Sequence, residues 1–257
     1  MFTETLTSNT KKHIKVSNRL IASTGLFLLS LFLVLPAHAT DLPNFKAVFD
    51  VEALGFTLGQ AKQRFVCKDH NCTLTSDAKP SGLAAAFFKD SSHETVKFTQ
   101  KDNQLNWLSY HKLGISYKDN KAKEKNLNLI YQPETGMINC PEKNRQWLKT
   151  GKTFDSVSIA YAIQHAVINK QPVNNFTLQD SNFQDTLMHE NTDKQAYVDL
   201  EFSDDPLDAV KYTFSSQHVN IELWLLPKYN YFPGKIRILN KDEKTITLSL
   251  AEPPKLL

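Results

Sequence analysis

Apolar and polar residues alternate at period two almost from end to end of this chain, and a segment patterned that way has one dry face and one wet face only as a β-strand. Phe45, Ala47, Phe49 and Val51 alternate with Lys46, Asp50 and Glu52, broken only by Val48. Val96 and Phe98 alternate with Lys97 and Thr99, and Leu127, Leu129 and Tyr131 with Asn126 and Asn128. Ala196, Val198, Leu200 and Phe202 follow the same rule, as do Val219, Ile221, Leu223 and Leu225, and finally Ile246, Leu248 and Leu250. About ten to twelve short strands fit. Parallel neighbours would each need a long crossover, so the close spacing of these runs predicts antiparallel pairing.

Two segments break the rule. Gly82 to Phe88 reads as a short second helix or a buried apolar turn after Pro80. Asp155 to Asn169 reads as the main helix: Asp155 is a plausible N-cap, Val157, Ile159, Tyr161, Ile163, Val167 and Ile168 recur at helical spacing, and Pro172 lies beyond the end. That helix is apolar around most of its girth and should be covered on more than one side. The expected fold is therefore mainly β, a curled antiparallel sheet or incomplete β-barrel wrapping one main helix.

The first 39 residues follow a different grammar. Lys11, Lys12, Lys15 and Arg19 lead into the apolar run Ile21 to Leu35, and Pro36-Ala37-His38-Ala39 presents small residues where a signal peptidase needs them. Residues 1–39 are expected to be a signal peptide cleaved after Ala39, leaving 40–257 as a single β-rich domain in an oxidising, periplasmic compartment. If the segment instead stays as an anchor, the positive-inside rule puts the rest outside the cytoplasm all the same. No cysteine ends the apolar run to carry a lipid, so a soluble product without a transmembrane anchor is expected. Of the 30 Lys and Arg and 27 Asp and Glu, four and one lie in the signal, which leaves the remainder balanced. The net charge of +3 thus belongs to the leader, and a nucleic-acid partner is excluded.

Three cysteines follow. Cys67 and Cys72 flank Lys68-Asp69-His70-Asn71, and in an oxidising space this reads as a hairpin closed by a disulfide. A metal site from Cys67, His70 and Cys72 has three local ligands where structural zinc wants four, and free thiols are the other alternative. Cys140 is the odd one, a buried thiol or an intermolecular partner.

Motifs that announce chemistry are scarce. The chain has no Gly-x-Ser-x-Gly, no phosphate-binding glycine loop and no His-Glu-x-x-His, so no catalytic residue, cofactor or metal is assigned and a non-enzymatic role is expected. His165 stands alone in the apolar helix, where a histidine satisfied in the core outweighs a catalytic base. Asp204, Asp205 and Asp208 around Pro206 suit a solvated bend better than a calcium loop. The aromatic residues are more informative. Tyr229, Tyr231 and Phe232 follow Trp224 in a connection bounded by Pro227 and Pro233, where polar residues are usual. They cover an open barrel end, or they form the lip of an apolar site together with Leu83, Phe87, Phe88 and Tyr161.

The opening Phe45 to Val51 with Gly55-Phe56-Thr57-Leu58-Gly59-Gln60-Ala61, the central Phe154-Asp155-Ser156-Val157-Ser158-Ile159-Ala160-Tyr161, and the closing Leu223-Trp224-Leu225 with Phe232-Pro233-Gly234-Lys235-Ile236-Arg237 are similar to the bacterial exported family known as domain of unknown function 3108. The resemblance spans nearly all of residues 45 to 250. It implies a periplasmic, mostly antiparallel β protein with a curved or incompletely closed barrel, similar in shape to periplasmic lipid and lipoprotein carriers, and it implies no reaction. The function expected is binding of a hydrophobic ligand such as an acyl chain at Leu83, Phe87, Phe88, Tyr161, Trp224, Tyr231 and Phe232. The alternative is a scaffolding or assembly factor of the cell envelope that takes a protein partner on a sheet edge.

Overall fold

The structure, a computed structural model, describes residues 40–53, 55–86, 89–118, 121–240 and 244–257. The expected signal peptide lies outside these residues, as do Phe87 and Phe88.

The first half of the fold is an antiparallel meander of β1 (Phe45–Ala53), β2 (Phe56–Lys68), β3 (Asn71–Pro80), β4 (Ser91–Lys101), β5 (Gln104–Lys118), β6 (Lys121–Gln132), β7 (Met137–Cys140) and β8 (Arg145–Leu148), each strand paired with the next. Next come β9 (Lys152–Asp155), the helix α1 (Ile159–Ile168) and β10 (Phe176–Gln179). β9 and β10 pair in parallel, and α1 supplies the crossover that such a pair requires. A second antiparallel run follows, β11 (Gln184–Val198), β12 (Leu207–Ser215), β13 (Val219–Leu226), β14 (Phe232–Asn240) and β15 (Thr245–Leu250), and β15 returns to pair with β1. The two-residue β16 (Lys255–Leu256) also pairs with β1. The result is one large curled sheet that does not close. Its edge strands, β8 and β9, adjoin in sequence across residues 149–151 and are not paired with each other.

Alternation placed most inward residues correctly. Phe45, Ala47 and Phe49 of β1 and Val219, Ile221, Leu223 and Leu225 of β13 are all buried. Three details differ. The run from Ala196 to Phe202 is not one strand, because β11 stops at Val198 and Ser203 N–H turns back to the Leu200 carbonyl at 3.0 Å. The segment after Pro80 is a single 3-10 turn, Gly82–Ala86, that includes Leu83. And α1 begins at Ile159, not Asp155. Asp155 is extended because it closes β9 in register with Gln179. Its carboxylate still serves the helix entry, accepting the backbone N–H of Val157 at 2.9 Å and of Ser158 at 3.1 Å.

Eight of the ten α1 residues are buried. Tyr161 packs its ring 5.0 Å from that of Phe45 and 5.8 Å from that of Phe232, and its hydroxyl donates to Gln63 Oε1.

Cys67 and Cys72 form a disulfide. The hairpin between them is tighter than four residues: β2 runs to Lys68 and β3 starts at Asn71, so only Asp69 and His70 turn the chain. Both have positive φ, 50° and 66°, as the favoured two-residue hairpin turn demands. The two cysteines face each other directly across the ladder with Cα atoms 4.0 Å apart. Cys140 is a buried free thiol.

Candidate functional site

Strand register lays the inner faces of β2 to β6 out in rows. The first row, Phe65, Leu74, Val96, Tyr110 and Leu129, is fully buried core. The next, two residues along each strand, is Gln63, Ser76, Glu94, Lys112 and Leu127. The third is Ala61, Ala78, Ser92, Gly114 and Lys125. Successive rows lie about 7 Å apart along the strands. The inner surface thus passes from large rings and aliphatics, through polar groups, to Ala78, Ser92 and Gly114, which are too small to fill the space above them, with Lys125 at the end of the row.

An open groove of about 420 Å³ lies over the third row. Val51, Leu58, Ala78, Pro80 and Ile115 give it apolar walls, while Ser92 and Gly114 contribute little bulk. Gly59 is required at its base, because a Cβ there would sit 2.1 Å from the Lys79 carbonyl oxygen. Gly114 is under no such pressure: an added Cβ would meet only the Lys125 carbonyl oxygen, at 3.8 Å. A second cavity of about 250 Å³ adjoins the groove, and Lys112, Gly114 and Lys125 line both. It leads toward Asp155, Gln179 and Asp180.

The polar groups between groove and core are paired. Glu94 holds Lys112 at 2.7 Å. Burial, followed by the charge of Glu94, pushes the Tyr110 hydroxyl far above the ordinary phenol range, so it stays protonated. Beneath them the fully buried Asp155 carboxylate takes Trp107 Nε1–H at 2.7 Å and the Ser158 hydroxyl at 2.9 Å, besides the two backbone donors of the helix entry. Burial raises its pKa to about 6, against the pull of those hydrogen bonds.

Of the residues singled out from the sequence, Tyr161, Trp224, Tyr231 and Phe232 lie away from this groove. Phe232 is 4% exposed and packs among Phe45, Phe49 and Tyr161 in the core. Its edge lines a separate cavity of about 280 Å³ with Leu42, Phe45, Tyr229 and Leu256. Trp224 lies on the opposite face of β13 from the core residues Leu223 and Leu225, with Lys211 Nζ 4.6 Å and Lys235 Nζ 5.9 Å from its ring. Tyr231 is half-buried at a left-handed position, φ 56°. Tyr161 and Phe232 meet, but none of Tyr161, Trp224, Tyr231 and Phe232 lines the groove. The groove residues were missed because small side chains carry no hydrophobic signal. Only the register of two strand pairings, β3 with β4 and β4 with β5, would have shown that Ala78, Ser92 and Gly114 share one level.

A serine, a histidine and an aspartate do come together elsewhere. Asp185 accepts Ser216 Oγ–H at 2.9 Å, His218 N–H at 2.8 Å and the His218 ring at Nδ1, 2.9 Å away. Burial alone would raise the Asp185 pKa, but these donors outweigh it and hold it below the ordinary range. Ser216 bonds the carboxylate, not the imidazole, so the order of a nucleophilic relay is absent. The cluster ties the β12–β13 turn to β11. Among the described residues no group of three or more His, Cys, Asp or Glu is arranged to hold a metal ion.

No family model and no curated protein matches the chain. Among solved structures it is similar to the crystal structure of a beta-barrel-like protein of domain of unknown function DUF1849 from Brucella abortus. The TM-score is 0.49 and the identity 11%, with 85% of this chain and 99% of that chain covered.

Proposed function

We propose that this is an exported, non-enzymatic envelope protein that binds a single-chain amphiphile, an acyl chain with an anionic head, inside a sheet curled around α1. The observation that carries the reading is the third row, where Ala78, Ser92 and Gly114 leave a groove with apolar walls whose charged lining is Lys79, Lys112 and Lys125 against the one carboxylate Asp90. An acyl chain gains about 0.8 kcal/mol for each CH₂ it buries. Lys125 and the outer N–H groups of Lys112 supply charge-assisted donors to a carboxylate or phosphate head. The Cys67–Cys72 disulfide suits an oxidising compartment. Cleavage after Ala39 would leave all the described residues, which begin at Thr40, in the product. No helix among the described residues is long and apolar enough to cross a membrane.

Titration with a fluorescent fatty acid tests this. Gly114→Leu projects a side chain into the groove from a position where a Cβ is tolerated, and it should abolish micromolar binding without lowering the melting temperature. Lys125→Met should weaken binding of the acid but not of its methyl ester. The reading fails if the unmodified protein binds no acyl probe, or if Gly114→Leu binds it unchanged.

One observation favours the scaffolding alternative. β8 is an unpaired edge whose Leu148 is 61% exposed, a surface on which a partner strand can add. A stoichiometric protein partner recovered without lipid, and lost on Gln146→Pro, would promote it.

A further inference from the structure

A cavity of about 340 Å³ lies apart from the groove and shares none of its lining residues. It is built by α1, by β9 and β10, and by the turn between β4 and β5. Asp102 and Asn103 make that turn with positive φ, 52° and 61°, and Gln171 Nε2 pins it by donating to the Asn103 carbonyl at 2.9 Å. One wall is apolar: Phe154, Phe176, Ala162 and Ala166. The other carries polar groups without partners. His165 is 3% exposed and its Nε2 has no hydrogen-bond partner among the described residues, and the Oδ1 of Asn103 has none either. Buried polar atoms are nearly always satisfied, so two orphans on one cavity point to something that fills it.

Charge narrows the class. Lys152 is the one ionisable lysine, arginine or carboxylate side chain on the lining, and no carboxylate pairs with it among the described residues. Its Nζ donates to the Pro172 carbonyl at 2.9 Å and lies 5.0 Å from the centre of the Phe176 ring, which leaves N–H groups to spare. Burial lowers the pKa of His165, with Asp41 raising it and Lys152 lowering it further, so the imidazole is neutral at neutral pH and its Nε2 can carry a donor proton. The Asn103 amide can turn either end to a ligand.

We propose that this cavity is a second binding site, for a small carboxylate with a short apolar or aromatic body. The carboxylate meets Lys152 Nζ, a turn of the His165 and Asn103 side chains, whose unpartnered atoms are closed to solvent, brings their donors to it, and the body rests on Phe154 and Phe176. At about 340 Å³ the site is at the small end of ligand cavities, and its apolar lining is Phe154, Phe176, Ala162, Ala166 and Leu105.

Benzoate is the probe and benzamide its neutral counterpart. Calorimetry on the unmodified protein should show saturable benzoate binding at least tenfold tighter than benzamide, and the His165 ring nitrogens should shift with the same saturation curve. Lys152→Met, at a half-buried position, should cost tenfold or more in benzoate affinity while thermal unfolding stays unchanged. His165→Gln, which keeps an amide donor, should lose less than His165→Ala. Benzoate should not displace a fluorescent fatty acid, and Gly114→Leu should bind it normally, so this site stands or falls separately from the groove. The inference is overturned by absence of saturable binding, by equal affinity for benzamide, by binding that survives Lys152→Met, or by benzoate binding that Gly114→Leu abolishes. A cavity that holds water alone gives the first of these results.

Discussion

Asp155 is a carboxylate with four donors aimed at it, two from the backbone of the helix entry, one from the Ser158 hydroxyl and one from the Trp107 indole. The first two were legible, since an aspartate just before a helical run announces a helix start. Trp107 was not, because the contact spans 48 positions and no local pattern encodes it. Asp155→Ala leaves the Trp107 indole and the Val157 N–H without an acceptor, while Ser158 keeps the carbonyl of residue 155 at 3.2 Å from its N–H and 3.4 Å from its hydroxyl, and should lower stability by about 2 kcal/mol or more in urea denaturation. The pH dependence follows from the raised pKa. With the folded value about 6 and the ordinary value 3.8, the folded state holds the proton more tightly. The stability from this group is therefore greatest below pH 4, declines as pH rises from about 4 to 6, and is level above that. The decline is of order 3 kcal/mol. Asp185, Glu142 and Glu222 have lowered values and act in the opposite sense, losing stability as pH falls. The comparison with Asp155→Asn, which cannot titrate, isolates the term: the wild-type advantage over that variant should shrink between pH 4 and 6. A flat difference would show that the donors hold the carboxylate ionised throughout.

At the scale of elements, the legible parts were those with one wet and one dry face. β1, β4 and β13 announce themselves by alternation. β9 and β10 do not, since burial on both faces erases it, and their parallel pairing was not foreseen. β11 was obscured for the opposite reason: the stretch from Glu190 to Gln195 is almost wholly exposed, with register breaks at His189/Asn191 and Asp193/Ala196. The cysteine hairpin was readable because its spacing is local. Alkylation of the denatured, unreduced protein should label Cys140 alone, and in the native fold the buried Cys140 should react slowly. Replacing both Cys67 and Cys72 by alanine should cost about 2 kcal/mol, the loop entropy of so small a ring. Labelling of all three thiols would contradict the pairing. Gly59 sets a further limit. A methyl group there collides with the Lys79 carbonyl, so Gly59→Ala must spread β2 from β3 and should cost about 1–3 kcal/mol, whereas Gly114→Ala should be close to neutral. Equal melting temperatures for the two variants would show that the ladder at Gly59 yields easily.

At the scale of the molecule, the feature furthest from the sequence is the seam between β1 and β15. Apart from the two-residue β16, which extends the same seam along β1, every other antiparallel pair joins neighbours in the chain, but this one brings Phe49 opposite Leu250 and Ala53 opposite Ile246. Nothing local specifies it. It is the one place where the two meanders zip together, and closing a loop of roughly two hundred residues must precede any reward from its contacts. Leu257 N–H donates to the Asn44 carbonyl at 2.9 Å, so the C-terminal residue lies beside the start of β1. The edge strands β8 and β9, meanwhile, are held in sequence only by the exposed residues around Thr150 and Gly151. A circular permutant follows from these facts: a short glycine-serine linker joins Leu257 to Thr40, and new termini open between Thr150 and Gly151. The permuted chain begins at β9 and ends at β8, so β15 and β1 become successive strands and the order along the sheet from β10 to β8 matches the order along the chain. It should retain the near-ultraviolet circular dichroism spectrum and the Cys67–Cys72 disulfide. It should also fold faster than the natural connectivity in stopped-flow refolding, because its one long-range seam has become local. Refolding at an unchanged rate would place the slow step within the meanders, and a permutant that fails to fold would show that the 149–151 connection, not the seam, organises the sheet.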